Sequence, residues 1–103
     1  MNLGRIWMVY TGNKTAENNK LTMCTISKRK VEKFITSKIK KGVFEYLLHD
    51  DGLPCGSYGT DDAGRAKQVE SFKNDFAEER YGLISLCLQG GYIDHLRDGK
   101  EYS

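Results

Sequence analysis

The sequence predicts an α+β fold: one small domain over residues 1–103, with an antiparallel sheet of about five strands packed with two helices in ββαβαββ order. Two segments repeat apolar residues at helical spacing between capping residues and glycines. Five shorter apolar or β-branched runs flank them. A length of 103 residues supports one hydrophobic core and is too short for two.

Arg5–Thr11 (RIWMVYT) is apolar on both faces of a strand, which suits a central or covered position. Lys20–Ile26 (KLTMCTI) reads as its hairpin partner across the polar, turn-prone segment Gly12–Asn19. Ser27 is placed to cap a helix, and Ile26 and Val31 have the spacing of a hydrophobic staple. Val31, Phe34, Ile35 and Ile39 then form one stripe, and Gly42 ends the helix after Lys40 and Lys41. Val43–His49 reads as a third strand, followed by an Asp-Gly, proline and glycine loop over Asp50–Gly59. Thr60 or Asp61 caps a second helix running to about Tyr81, with Ala66, Val69, Phe72 and Phe76 inward and Gly82 as its stop. Leu83–Leu88 is the fourth strand, Gly90–Gly91 a tight turn, and Tyr92–Leu96 the fifth strand. The Asp98–Gly99 pair offers one further turn.

A hydrophobic content of 39% with eleven aromatics argues for a folded globule. Trp7, Phe34, Phe44, Phe72 and Phe76 hold periodic positions and are expected in the core, whereas Tyr58, Tyr92 and Tyr102 are expected at the surface. Cys24, Cys55 and Cys87 are odd in number and form no C-x-x-C pair, which favours reduced thiols and a cytoplasmic setting. Cys24 and Cys87, inside apolar runs, read as small core residues. Met1–Tyr10 holds one basic residue and too short an apolar run for a signal peptide. No stretch reaches the roughly 20 apolar residues that span a bilayer, so no membrane partner is expected.

Charge is divided by position. Residues 1–42 hold ten basic and two acidic residues, a net +8, whereas residues 43–103 carry a net −6. Two opposite fields on one small domain favour docking onto charged macromolecules. The basic candidates are Lys28, Arg29, Lys33, Lys38, Lys40 and Lys41 on the first helix, which also serve as the ordinary solvated face of a packed helix. The acidic candidates are Glu45, Asp50, Asp51, Asp61 and Asp62; Asp61 and Asp62 are equally explained as helix-start residues. Tyr58, on a glycine-bearing loop, is an exposed aromatic that can anchor a partner.

His49, Asp50, Asp51 and Cys55 look superficially like a metal site, but the paired Cys and His spacing of zinc sites is missing, and a turn explains the aspartates better. Gly56–Thr60 lacks the lysine of a phosphate-binding P-loop. No cofactor, metal or catalytic residue is therefore expected.

The run Val31–Gly42, VEKFITSKIKKG, resembles a segment of small anti-CRISPR proteins from phages and mobile genetic elements, in which a V-E-K-F-I helix ending in Lys/Asn-Gly follows strands. The resemblance implies a non-enzymatic inhibitor acting by occupancy in the host-cell cytoplasm, with a protein or ribonucleoprotein target such as a CRISPR effector nuclease or its guide RNA. Some such proteins carry an acidic surface that fills a DNA-binding channel; here the matching helix is lysine-rich. The alternative is a nucleic-acid-binding module using residues 28–41, and a third reading is a small hydrolase built on His49, Asp50 and Asp51. Pairing of the +8 and −6 segments between two chains would give a homodimer.

Overall fold

Strand β1 (Ile6–Thr11) buries alternate side chains, Trp7 and Val9, and occupies the centre of a three-stranded antiparallel sheet. It pairs with β2 (Lys20–Thr25) in the expected hairpin, with a bulge at Val9/Tyr10, and with β7 (Gly91–Leu96) on its other side. The computed structural model describes residues 6–12 and 20–96, with side chains as far as Asp94. The expected turn at Asp98–Gly99, most of the polar segment 12–19, Arg5 and Tyr102 lie outside the described residues.

Helix α1 (Lys28–Lys40) begins and ends where its sequence signals stand. Ser27 Oγ accepts from Lys30 N at 3.2 Å, and Val31, Ile35 and Ile39 are fully buried. Ile26 stays 71% exposed, which leaves most of the expected staple contact unmade. At the C-terminus Gly42, with φ +76°, sends its N–H to Ile39 O while Val43 N reaches Lys38 O, the paired bonds of a Schellman motif.

The third strand divides. Glu45–Tyr46 (β3) pairs with Leu88–Gln89 (β6), whereas Leu48–Asp50 (β4) pairs with Leu53–Gly56 (β5). The chain changes partner at Leu47, whose N–H goes to Cys87 O. The fold is α+β as expected, but among the described residues the strands fall into sheets of three, two and two strands instead of one sheet. Gly90, at φ +91°, therefore links two sheets and does not close a hairpin.

Helix α2 (Asp62–Ala77) stops four residues short of the expected end. Glu79 takes φ +59°, and the bonds Glu79 N to Phe76 O and Arg80 N to Asp75 O close the same motif that ends α1. Its buried face is Gly64, Gln68, Phe72, Asp75 and Phe76; Val69 packs half-buried against the core, and Ala66 is exposed, against expectation. Buried polar residues stand where an apolar pattern was sought. Gln68 earns its place by accepting from Tyr46 N at 3.1 Å and donating to Gly59 O at 2.7 Å. The expected fourth strand is instead a third helix, α3 (Tyr81–Cys87), with Ile84 and Cys87 buried one turn apart. Gly82 lies inside it and stops nothing.

Helices α1 and α2 run antiparallel. Lys28 meets Phe76 and Glu79 at one end, and Arg65 Nη1 donates to Lys40 O at 3.2 Å at the other. Trp7 packs on Phe76 and Tyr81, each at 5.4 Å between ring centres. Phe44, Phe72 and Phe76 are buried as expected, and Phe34 packs half-buried against them.

Candidate binding surface

The basic helix fixes its own outer surface. With Val31, Ile35 and Ile39 turned inward, Arg29, Lys33, Thr36 and Lys40 follow at i, i+4, i+7 and i+11 on the opposite side. Lys30, Ser37 and Lys41 form a neighbouring row. Arg29, Lys30, Lys33, Lys40 and Lys41 are exposed, and none pairs with a carboxylate among the described residues.

Two members of the expected basic set are directed elsewhere. Lys28 is half-buried, with Nζ 5.1 Å from the Phe76 ring centre and 3.9 Å from Glu79 Oε1. Lys38, also half-buried, lies 5.3 Å over the Phe34 ring. Both use their stems to cover apolar surface. Lys30 takes their place; its position beside Ser37 and Lys41 on the helical wheel was the signal that a count of lysines misses.

The acidic candidates do not act as one group. Glu45 Oε2 accepts from Ser57 Oγ at 2.6 Å, tying β3 to the following loop. Asp61 Oδ1 caps α2 by accepting from Gly64 N at 2.8 Å, and Asp62 sits in the first turn, where the helix dipole favours it. Asp50 and Asp51 stand exposed at the β4–β5 turn, where Asp51 and Gly52 both take positive φ, as a type I′ hairpin demands. Tyr58 is half-buried, not freely exposed: it borders a shallow cavity of about 230 Å³ with Lys67, Glu70, Ser71 and Asn74 of α2. Tyr92 is likewise half-buried, stacked on Tyr10 at 4.6 Å with 9° between the rings.

His49 faces inward to a partner that sequence reasoning did not find. Its Nε2 lies 2.9 Å from Asp75 Oδ2, which also accepts from Tyr46 Oη at 2.6 Å. Arg80 Nη1 stands 4.0 Å from the other carboxylate oxygen. Burial, then the bond to Asp75, push the Tyr46 phenol above its ordinary value, so it stays a donor. Burial pushes the Cys87 thiol up as well. Asp50 and Asp51 take no part in this cluster, so the grouping of His49 with those two aspartates is not formed. Among the described residues no group of three or more His, Cys, Asp or Glu is arranged to hold a metal. Cys24, expected in the core, is exposed on β2, as is Cys55 on β5.

Among the described residues, no helix is long and apolar enough to cross a membrane. No family profile matches the chain, and no curated protein or solved structure shows significant similarity to it. The fold and surface define a small α+β domain that presents a cationic helix.

Proposed function

We propose that this chain is a non-enzymatic binding protein that works by occupancy, with the outer face of α1 as its contact. The observation that supports this reading is an asymmetry of use. Of the acidic candidates, Glu45 and Asp61 have partners within the chain and exposed Asp50, Asp51 and Asp62 are divided between a turn and a helix start, whereas five exposed cations gather on one side of α1 and pair with no described carboxylate. A charge already engaged offers little to a partner; an unpaired row of like charge attracts and orients an anionic one.

The class of target we attach is a nucleoprotein machine in the cytoplasm, with a CRISPR effector nuclease as the candidate drawn from the Val31–Gly42 resemblance. Retention on immobilised heparin tests the contact face. Arg29→Gln/Lys33→Gln/Lys40→Gln should elute at clearly lower salt, whereas Asp50→Asn/Asp51→Asn/Asp62→Asn should elute unchanged or later. Unchanged elution of the arginine and lysine variant would remove the outer face of α1 as the contact. Adding the protein to a programmed CRISPR effector tests the target: stoichiometric loss of cleavage supports it, and full cleavage under excess protein removes that candidate.

A nucleic-acid-binding module is the second reading, favoured by the purely polar and cationic make-up of the α1 face.

A further inference from the structure

The two outer rows of α1 differ from a protein-docking face in composition. Their seven residues are Arg29, Lys30, Lys33, Thr36, Ser37, Lys40 and Lys41, with neither an acid nor an apolar side chain. Protein interfaces are depleted in lysine and centre on aromatic or arginine anchors in desolvated pockets. Phosphate backbones are instead contacted by lysine, arginine and hydroxyl side chains that remain partly hydrated.

We infer that the outer face of α1 docks on the phosphates of double-stranded DNA, an inference that rests on α1 being the contact face. Arg29, Lys33 and Lys40 fall within about 40° of arc, and Lys30 and Lys41 about 90° to one side, at 100° per residue. From Arg29 to Lys40 the helix rises about 16 Å. Ser37 lies between the cations of the two rows and Thr36, whose hydroxyl donates to Lys33 O, at the outer edge of the first, so a helix seated between two phosphate strands presents one row to each. Glu32 lies outside both rows, in a depression shared with Lys28, Arg29 and Ala77 between α1 and α2.

Three further points select the nucleic acid. Single strands are held by stacking on aromatics, and these rows hold none. The major groove of B-form DNA admits an α-helix, whereas that of duplex RNA is too deep and narrow. Arg29 is the one guanidinium of the two rows, and lysines act as flexible point charges, so binding is to the backbone and independent of sequence.

The test is binding of the full chain to a mixed-sequence 20-base-pair DNA duplex across a salt series, beside duplex RNA, single-stranded DNA and polyglutamate. Five phosphate contacts give a log–log salt slope of about −4.5, a roughly 500-fold loss of affinity from 50 to 200 mM salt. Lys33→Gln/Lys40→Gln should make that slope shallower by about 2. Both sites are exposed and glutamine is a good helix former, so an unchanged circular dichroism spectrum is expected and serves as the folding control. Tighter binding to duplex RNA or single strands, an unchanged slope, or no duplex binding at low salt would overturn the inference. If polyglutamate alone is bound, and bound less by the double variant, the docking face survives without DNA as its partner. If neither polyanion is bound, the docking face falls as well.

Discussion

Asp75 is where a single side chain carries the most. One of its oxygens accepts from Tyr46 Oη and faces His49 Nε2, and its backbone carbonyl closes the end of α2. A carboxylate with a side chain only 7% exposed is tolerable because it is this well partnered. Asp75→Ala strands both partners and should lower stability by about 3 kcal/mol. Tyr46→Phe removes one donor and should cost about 2 kcal/mol. Urea denaturation of each single variant and of the double measures their coupling; strict additivity would contradict a shared network.

The same cluster sets an alkaline limit. Because the Tyr46 phenol and the Cys87 thiol titrate above their ordinary 10.0 and 9.0 in the fold, the folded state favours their neutral forms. Their contribution to stability is therefore complete below those values and is lost as pH rises beyond them, when the unfolded chain ionises first. The urea midpoint should begin to fall above pH 9 and fall faster above pH 10, and Tyr46→Phe should reduce the second slope. A flat midpoint to pH 11 would contradict the buried phenol. None of this was legible from sequence. His49 and Asp75 are 26 positions apart, and Asp75 lies in a run with Glu78 and Glu79 that looks like ordinary surface charge.

The helix ends show why some elements were legible and others not. Both α1 and α2 finish in a Schellman motif, which needs one residue at positive φ. Gly42 supplies it for α1, and the end was readable; Glu79 supplies it for α2, and the helix was read through to Tyr81. Glu79→Gly should relieve the left-handed strain and stabilise the fold by about 0.5 kcal/mol, since the Lys28 pair and the 3.2 Å bond from Tyr81 Oη that it forfeits are both exposed. A rise in Tm would support this, and a fall would mean that the Glu79 side chain matters more than its backbone.

Gly64 is the opposite case. A glycine early in α2 looks like a weakness, yet a Cβ there would collide with the backbone of Gly59 and Tyr58. Gly64→Ala should destabilise by about 2 kcal/mol despite the better helix propensity of alanine. The run Leu83–Leu88 misled for a different reason. A short apolar run has no decisive period, and only packing, with Ile84 and Cys87 inward one turn apart, makes it helical.

Over the whole molecule, the division of charge along the sequence does not become two opposite ends. Antiparallel packing sets basic α1 beside the acidic second half, so Lys28 pairs with Glu79 and the C-terminus of α1 abuts Arg65, one turn past Asp61 and Asp62. That arrangement neutralises the flank between the helices within a single chain. It leaves the outward side of α1 cationic. Sequence located those lysines, but only the direction of the buried stripe separates outward Lys30, Lys33, Lys40 and Lys41 from inward-leaning Lys28 and Lys38.

Lysine acetylation footprinting with and without saturating heparin tests that surface most directly. Lys30, Lys33, Lys40 and Lys41 should be protected together, while exposed Lys67 and Lys73 on α2 react as before. Equal protection of all six, or protection confined to α2, would contradict α1 as the docking face.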